Sequence, residues 1–490
     1  MADLNPLSLL DSLFLWGEHQ NTMMHVAGLL QFTPPADADK TYLREIVEQA
    51  KADGVVHWPW NRKLRLPGML WSPVNAWVTD ERIDLDYHVR RDALPSPGSE
   101  RELGVLVSRL HSTQLDFSRP PWEVHFIEGL DGGRFAIYMK FHHALIDGFS
   151  AMRILARSFS SDPDERSKPL FFAVAPPERG QRHQGAATRA GSRQPASGDG
   201  AAGVDGGTLM SGGPSSLISG LRDGAESALT LGKRVTAPLL HRSSPELTSG
   251  LQAPSSILNN RIGHSRRFAT QQYSLPQLKT LAEHYGVTLN DVFLTIIGGG
   301  LRRFLSELDE LPSRSLVAFL PVNVRPADDP AGGNAIGAIL ARVGSDIENP
   351  AERLERVSAG TRAAKAQLEG MSRLAIIAYS AYLFAPAGLQ AAGAITRLSR
   401  LLPIPVNFNL CVSNVPGPKA SLYLKGSRMD ASYPVSVPFH SMALNVTIQS
   451  YADKLGVGFV GCRDTLPHLQ RLAVYTGDAL EELLSARQPG

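Results

Sequence analysis

Cysteine is nearly absent from this chain of 490 residues: Cys411 and Cys462 are the only two. So few thiols exclude a disulfide framework of the kind that holds small secreted folds, and they exclude a cysteine zinc site. Charge of either sign is not in excess. The 49 Lys and Arg against 47 Asp and Glu leave a net charge of +2, which argues against a dedicated nucleic-acid binder, because phosphate recognition needs a concentrated basic face. A basic n-region and a secretory cleavage pattern are missing from Met1 to Pro6, so an intracellular, cytoplasmic protein is expected. A clean apolar span is missing too. The one membrane-like stretch, Leu374 to Ile395, is uncharged but rich in alanine and interrupted by Pro386, Gly388 and Gln390. It reads as a core or surface-docking helix pair broken at Pro386. Neither a G-x-S-x-G elbow nor a P-loop lysine motif occurs, which leaves lipase and NTPase readings without support.

What is present is the composition of a globular protein, 43% hydrophobic and 20% charged. At this length two domains are expected. They are placed at 1–172 and 254–490, around a flexible crossover at 173–253. Within that crossover, Glu178 to Gly224 is rich in glycine, serine, alanine and arginine and cannot bury enough apolar surface to offset its ordering entropy. The first half alternates helix and strand patterns. Ser8 to Gln20 reads as a helix, Val124 to Glu128 and Phe135 to Phe141 as strands joined through Asp131-Gly132-Gly133, and Phe149 to Phe159 as a helix. In the second half Pro276 to Tyr285 and Leu289 to Phe304 read as helices. Leu316 to Val322, Phe408 to Ser413, Ala443 to Gln449 and Leu455 to Cys462 read as strands. Interleaved in this way, they predict an α/β class with mixed sheets.

The densest chemistry is Phe141-His142-His143-Ala144-Leu145-Ile146-Asp147-Gly148, an HHxxxDG run at the end of a strand. Along that strand Phe135, Ile137, Met139 and Phe141 share one face, and Ala136, Tyr138, Lys140 and His142 the other. His142 and His143 therefore point in opposite directions, and only one can be a base. The same divergence argues against a metal, and no ligand set at zinc spacing lies nearby. A histidine can take a hydroxyl proton near neutral pH, which acyl transfer to an alcohol requires. Two further features bear on sites. Gly298, Gly299 and Gly300 interrupt a helix at roughly 1 kcal/mol each, which points to close approach, either by packing against the sheet or by an acyl chain in a tunnel. Gly456-Val457-Gly458-Phe459-Val460-Gly461 matches G-x-G-x-x-G but lies within a strand and opens no helix, so it is not a dinucleotide loop.

HHxxxDG occurs in CoA-dependent acyltransferases and condensation domains, and the other motifs narrow the resemblance. Pro6-Leu7-Ser8, Asp11, Phe14-Leu15 and Met24-His25-Val26 look like the opening motif of the bacterial wax ester synthase/acyl-CoA:diacylglycerol acyltransferase family. Arg119-Pro120-Pro121-Trp122-Glu123-Val124-His125 resembles its Pro-Leu-Trp motif, with Pro121 where leucine is usual. Asn290-Asp291, Pro321-Val322-Asn323-Val324-Arg325 and Ser413-Asn414-Val415-Pro416-Gly417-Pro418 match further blocks. The resemblance implies two chloramphenicol-acetyltransferase-like domains with an active-site channel at their interface. It implies transfer of a long-chain acyl group from acyl-CoA, a substrate rather than a cofactor, to a fatty alcohol or a diacylglycerol.

Of the candidate catalytic residues His142, His143, Asp147 and Asn290, the resemblance makes His143 the general base. Asp147 is expected to hold the loop by an ion pair with Arg325 or to serve as a helix N-terminal carboxylate. Gly148 is expected to permit the turn. Asn290 is read either as an N-cap or as facing His143 across the interface, and Ser413 and Asn414 either as a turn or as oxyanion donors. Gly148, Gly298, Gly299, Gly300, Ser413 and Asn414 are the candidate substrate contacts. The crossover's arginines and the 374–395 stretch suggest peripheral contact with a membrane or lipid droplet. Two rivals are a same-fold enzyme using a carrier-bound donor and a non-catalytic lipid-droplet protein.

Overall fold

The computed structural model describes residues 5–176, 247–323, 336–384 and 406–486, apart from 249, 370, 372–374, 377–378 and 381. The first half contributes strands β1 (Asn5–Pro6), β2 (His25–Thr33), β3 (Arg62–Leu64), β4 (Ala76–Thr79), β5 (Val89–Ala93), β6 (Trp122–Glu128) and β7 (Phe135–His142). Its helices are α1 (Leu9–Gly17), α2 (Tyr42–Asp53), α3 (Leu85–His88), α4 (Glu100–His111) and α5 (Gly148–Ser158). The second half adds β8 (Arg266–Ser274), β9 (Val317–Asn323), β10 (Ile336–Arg342), β11 (Leu410–Val415), β12 (Tyr423–Leu424), β13 (Ser427–Val435), β14 (Leu444–Tyr451) and β15 (Lys454–Cys462). Its helices are α6 (Leu275–Tyr285), α7 (Leu289–Ser306), α8 (Pro350–Leu368) and α9 (Gln470–Ser485).

The strand alternation read from the sequence decides where β7 lies. Phe135, Ile137, Met139 and Phe141 enter one core, together with Leu15 of α1, Val47 of α2 and Leu155 of α5. Ala136 and Tyr138 enter another, against Leu103, Leu106 and Val107 of α4 and, from the second half, Phe268 and Val460. A strand apolar on both faces belongs inside a sheet. β7 accordingly runs between β2 and β6 in a six-stranded sheet of order β12-β13-β2-β7-β6-β5. The second sheet, β10-β9-β11-β14-β15-β8, also has six strands. Both are mixed: β5 runs parallel to β6, and β11 parallel to β9 and β14, among antiparallel neighbours.

The two halves are not separate in sequence at residue 254. β13 crosses over and pairs antiparallel with β2, covering an edge that would otherwise be open. The glycines of the G-x-G-x-x-G match explain how it fits. A Cβ at Gly456 would sit 2.1 Å from the Ser432 carbonyl oxygen, and one at Gly458 1.8 Å from that of Pro434. Bare backbone on β15 is what lets the second sheet approach the borrowed strand. Most of the expected crossover, 177–246, lies outside the described residues, as do Pro386 and the rest of 374–395 beyond residue 384. Before that point Ile376, Tyr379 and Leu383 are buried in a core with Phe319 and Phe408. Among the described residues no helix is long and apolar enough to cross a membrane.

Candidate active site

The end of β7 is fixed by backbone bonds from both neighbouring segments. The His142 N–H donates to the Pro121 carbonyl at 2.9 Å, and the His143 N–H to the Met24 carbonyl at 2.9 Å. The Pro121 contact uses the main chain, so proline in place of the usual leucine leaves it intact. Strand β6 then braces β7 by charge. Lys140 is fully buried; its Nζ lies 2.5 Å from Glu123 Oε1 and donates to the Leu110 and Thr113 carbonyls, each at 2.9 Å. Burial alone would raise the Glu123 carboxyl, but His125 and Lys140 hold it down to about 2. His125, burial notwithstanding, is pushed up by Asp92 at 2.7 Å and by Glu123.

Past the strand the two imidazoles part. The His142 ring is buried: Nδ1 accepts the Ala144 N–H at 3.2 Å, Nε2 faces Glu18 Oε2 at 3.4 Å, and Phe117 meets the ring edge-on at 5.0 Å. Because Nδ1 accepts, the ring proton is on Nε2 and points toward a carboxylate. Nδ1 is engaged by the loop backbone, and Nε2 is enclosed beside Glu18 without a hydrogen bond, so the ring is closed off from a substrate, against the expectation of a catalytic His142. Glu18, itself buried, also accepts the Met24 N–H at 2.5 Å and the Gln114 amide at 2.7 Å. This carboxylate ties α1, the Met24 turn and the histidine loop together.

His143 turns the other way, and its ring stacks on Phe14 of α1 with centroids 4.0 Å apart and planes at 15°. Nδ1 is enclosed without a hydrogen-bond partner among the described residues, which leaves Nε2 as the nitrogen open to a substrate. Burial pushes the imidazole down to about 4; the ring's own backbone carbonyl and Asp147 oppose that shift and His142 adds to it. At neutral pH the ring is therefore uncharged and able to accept a proton.

Asp147 is the N-cap of α5. Its Oδ1 accepts the Ser150 N–H and its Oδ2 the Ser150 hydroxyl, both at 2.8 Å. Arg325, the expected partner, lies outside the described residues. Gly148 is the first residue of α5 and its φ is not positive, so the turn does not require glycine there. A Cβ at Gly148 would meet nothing within 4 Å, and the space beside the loop is open.

Asn290 is not the N-cap of its helix. Thr288 holds that place in a capping box, exchanging hydrogen bonds with Asp291, whose Oδ1 also receives the Thr361 hydroxyl at 2.5 Å. Asn290, one residue on from the first helical position, is exposed, and its Oδ1 accepts from Asn414 Nδ2 at 2.8 Å. The structure thus joins Asn290 to Asn414; no direct contact links either to His143 among the described residues. A polar seam runs between them. His25 pairs with His142 across the sheet and its Nε2 donates to the His111 carbonyl. His111 donates from Nε2 to the Ser436 carbonyl and accepts the Tyr138 hydroxyl at Nδ1. Ser436 meets Thr447, which lies opposite Ser413 in the parallel pair.

Gly298, Gly299 and Gly300 face protein, and the acyl-tunnel expectation is corrected there. A Cβ at Gly298 would lie 1.8 Å from the Val343 carbonyl oxygen, at Gly299 2.4 Å from Arg353 Nη1, and at Gly300 2.7 Å from Thr476 Oγ1. Sequence reasoning missed Phe14 and Glu18 as neighbours of the loop. Both follow the Ser8–Asp11 capping box that starts α1, and that box was the available signal.

Residues 7–293 match the family model described as the wax ester synthase/diacylglycerol acyltransferase catalytic domain, and residues 332–484 match its C-terminal domain. A putative diacylglycerol O-acyltransferase of Mycobacterium tuberculosis is 54% identical, over 97% of this chain and 96% of its own. The O-acyltransferase WSD of Acinetobacter baylyi is 35% identical, over 98% and 96%. Among solved structures, the wax ester synthase/diacylglycerol acyltransferase of Marinobacter aquaeolei superimposes with a TM-score of 0.74 at 34% identity, covering 99% of both chains. The first condensation domain of the calcium-dependent antibiotic synthetase shares the fold, with a TM-score of 0.55 at 15% identity, covering 99% of this chain and 96% of that one.

Proposed function

The chain belongs to the wax ester synthase/diacylglycerol acyltransferase family and is an O-acyltransferase; from that premise we propose that it moves a long-chain acyl group from acyl-CoA to a fatty alcohol or a diacylglycerol, with His143 as base. Nε2 of His143 takes the acceptor's hydroxyl proton as the oxygen attacks the thioester carbonyl. The tetrahedral intermediate collapses to the ester, the C–S bond breaks, and the imidazolium returns its proton to the departing CoA sulfur. Atoms balance with the two substrates alone, so neither an acyl-enzyme nor a cofactor is invoked. Asp147 favours the transient imidazolium by its charge. With its Oδ1 engaged by Asn414, Asn290 keeps its two amide N–H donors for the carbonyl or the acceptor, and the open space at Gly148 receives the donor. Because the acceptors reside in lipid, the enzyme works peripherally, at the cytoplasmic face of a membrane or on a droplet.

One observation carries this reading: of the adjacent imidazoles, His142 is sealed in the protein, whereas His143 is only partly buried, and it is uncharged at neutral pH. The test is product formation by the wild type from palmitoyl-CoA and from a palmitoyl-phosphopantetheine carrier protein, with hexadecanol and with dipalmitoylglycerol. Ester formed from the CoA donor with either acceptor is expected, and the ratio identifies the preferred acceptor. Ester from the carrier alone would replace the donor assignment, and silence with every pair would end the enzymatic reading.

A further inference from the structure

Eleven large apolar side chains are exposed among the described residues, and seven of them fall between residues 13 and 74. The most open are Trp71 at 69% and Val74 at 68%, followed by Trp58, Leu13, Trp16 and Met69. The chain has six tryptophans, and three are in this group. Scattered exposed apolar residues need no account, but a concentration of tryptophan does.

The fold brings these residues to one region. β1, immediately before α1, pairs with β4, Pro6 opposite Ala76. The charges of Asp11 on α1 and Arg62 on β3 act on one another. Leu13 and Trp16, three residues apart, share a face of α1. The loop from Leu66 to Asn75 is built rather than slack. The buried Asn75 side chain accepts the Leu66 N–H at 3.0 Å and donates to the Leu66 carbonyl at 3.1 Å and the Met69 carbonyl at 3.3 Å. A buried amide thus holds a loop that presents Trp71 and Val74 to solvent.

Charge indicates what meets that face. Residues 54–79 contain Arg62, Lys63 and Arg65 and no Asp or Glu. Lys63 pairs with Asp80 at 3.2 Å, whereas Arg65 is exposed with no carboxylate partner among the described residues. Tryptophans beside a cation that no carboxylate neutralises are the composition that settles at a headgroup boundary. The same helix also carries Phe14, the ring against His143.

We propose that α1 and the Leu66–Asn75 loop dock on an anionic phospholipid bilayer, and that the lipid-resident acceptor reaches His143 past α1. The docking stands on the surface alone; the delivery rests on the acceptor assigned above.

The test is sedimentation of the full-length protein with phosphatidylglycerol/phosphatidylcholine vesicles and with phosphatidylcholine vesicles, for wild type, Trp71→Phe and the double variant Trp71→Glu/Val74→Glu. The double variant should lose at least about tenfold in partitioning to the anionic vesicles, with an unchanged Tm and unchanged turnover of dispersed hexanol. Its turnover of vesicle-borne hexadecanol should fall with binding. Trp71→Phe, which keeps an apolar ring, should retain most of the binding, and phosphatidylcholine alone should bind wild type more weakly. A wild type that ignores anionic vesicles, or a double variant that binds them like wild type, overturns the docking face. If hexanol is not turned over by any form while the double variant still loses vesicles, the catalytic reading fails and the docking face stands.

Discussion

Replacing Phe14 by alanine removes the ring that lies 4.0 Å from His143 and helps enclose it. Two consequences follow from the geometry. An aromatic pair is worth about 0.5–1.5 kcal/mol beyond its buried area. If that energy holds the base in place, its loss lowers kcat/KM by roughly two- to twelvefold. The second consequence concerns protonation. Burial holds the imidazole at about 4 against an ordinary 6.5 and so disfavours the charged form. Activity needs the neutral ring, so wild-type kcat/KM should persist on acidification until the pH approaches about 4. Opening the ring to water weakens desolvation and raises its pKa, so the acid limb of Phe14→Ala should begin about one pH unit higher. Phe14→Leu, which keeps an apolar cover without the stack, should lower the rate while shifting the limb less. The assay is CoA release across pH 4 to 9 at subsaturating acceptor. Coincident acid limbs in wild type and Phe14→Ala, or a wild-type limb already near 6.5, would refute the reasoning.

Three other perturbations separate structure from chemistry. Lys140→Met leaves the Glu123 carboxylate buried without its ammonium partner, and a loss of about 3–5 kcal/mol is expected; chemical denaturation should show it, with part recovered in Lys140→Met/Glu123→Gln. Gly298→Ala drives a methyl into the Val343 carbonyl and should destabilise by about 1–3 kcal/mol or more, with acyl-chain selectivity unchanged in whatever folds; a shortened chain preference at full stability would revive the tunnel. Asp147→Asn retains a side-chain oxygen for the α5 cap, so Tm should hold within about a degree or two, while kcat falls because the charge near the imidazolium is gone. Equal kcat in that variant would confine Asp147 to capping.

Local pattern made much of the scaffold legible. The two-residue alternation of β7 gave both its faces and the divergence of His142 from His143, because a strand's geometry is local. Helices α6 and α7 began within a residue or two of their expected starts for the same reason. What escaped was non-local. Nothing between 423 and 435 announces that this segment completes the first sheet, since its partner, β2, lies some four hundred residues earlier. The glycines of α7 were legible as sites of close approach, but their neighbour Val343 is set by tertiary packing, and the glycines of β15 gave no sign of the Ser432 and Pro434 carbonyls that lie against them. Of the two readings of Asn290, the N-cap one fails because Thr288 and Asp291 form a reciprocal pair around it. Phe14 read only as part of a helix and of the opening motif, and the fold alone puts its ring on the base.

The account turns on the open nitrogen of His143. The decisive measurement is ester formation from palmitoyl-CoA, with hexadecanol and with dipalmitoylglycerol, by wild type and by His143→Ala of matched Tm. Loss of roughly 10²–10⁴-fold is expected with the alanine variant. A folded His143→Ala enzyme that esterifies either acceptor at near wild-type rate would contradict the mechanism.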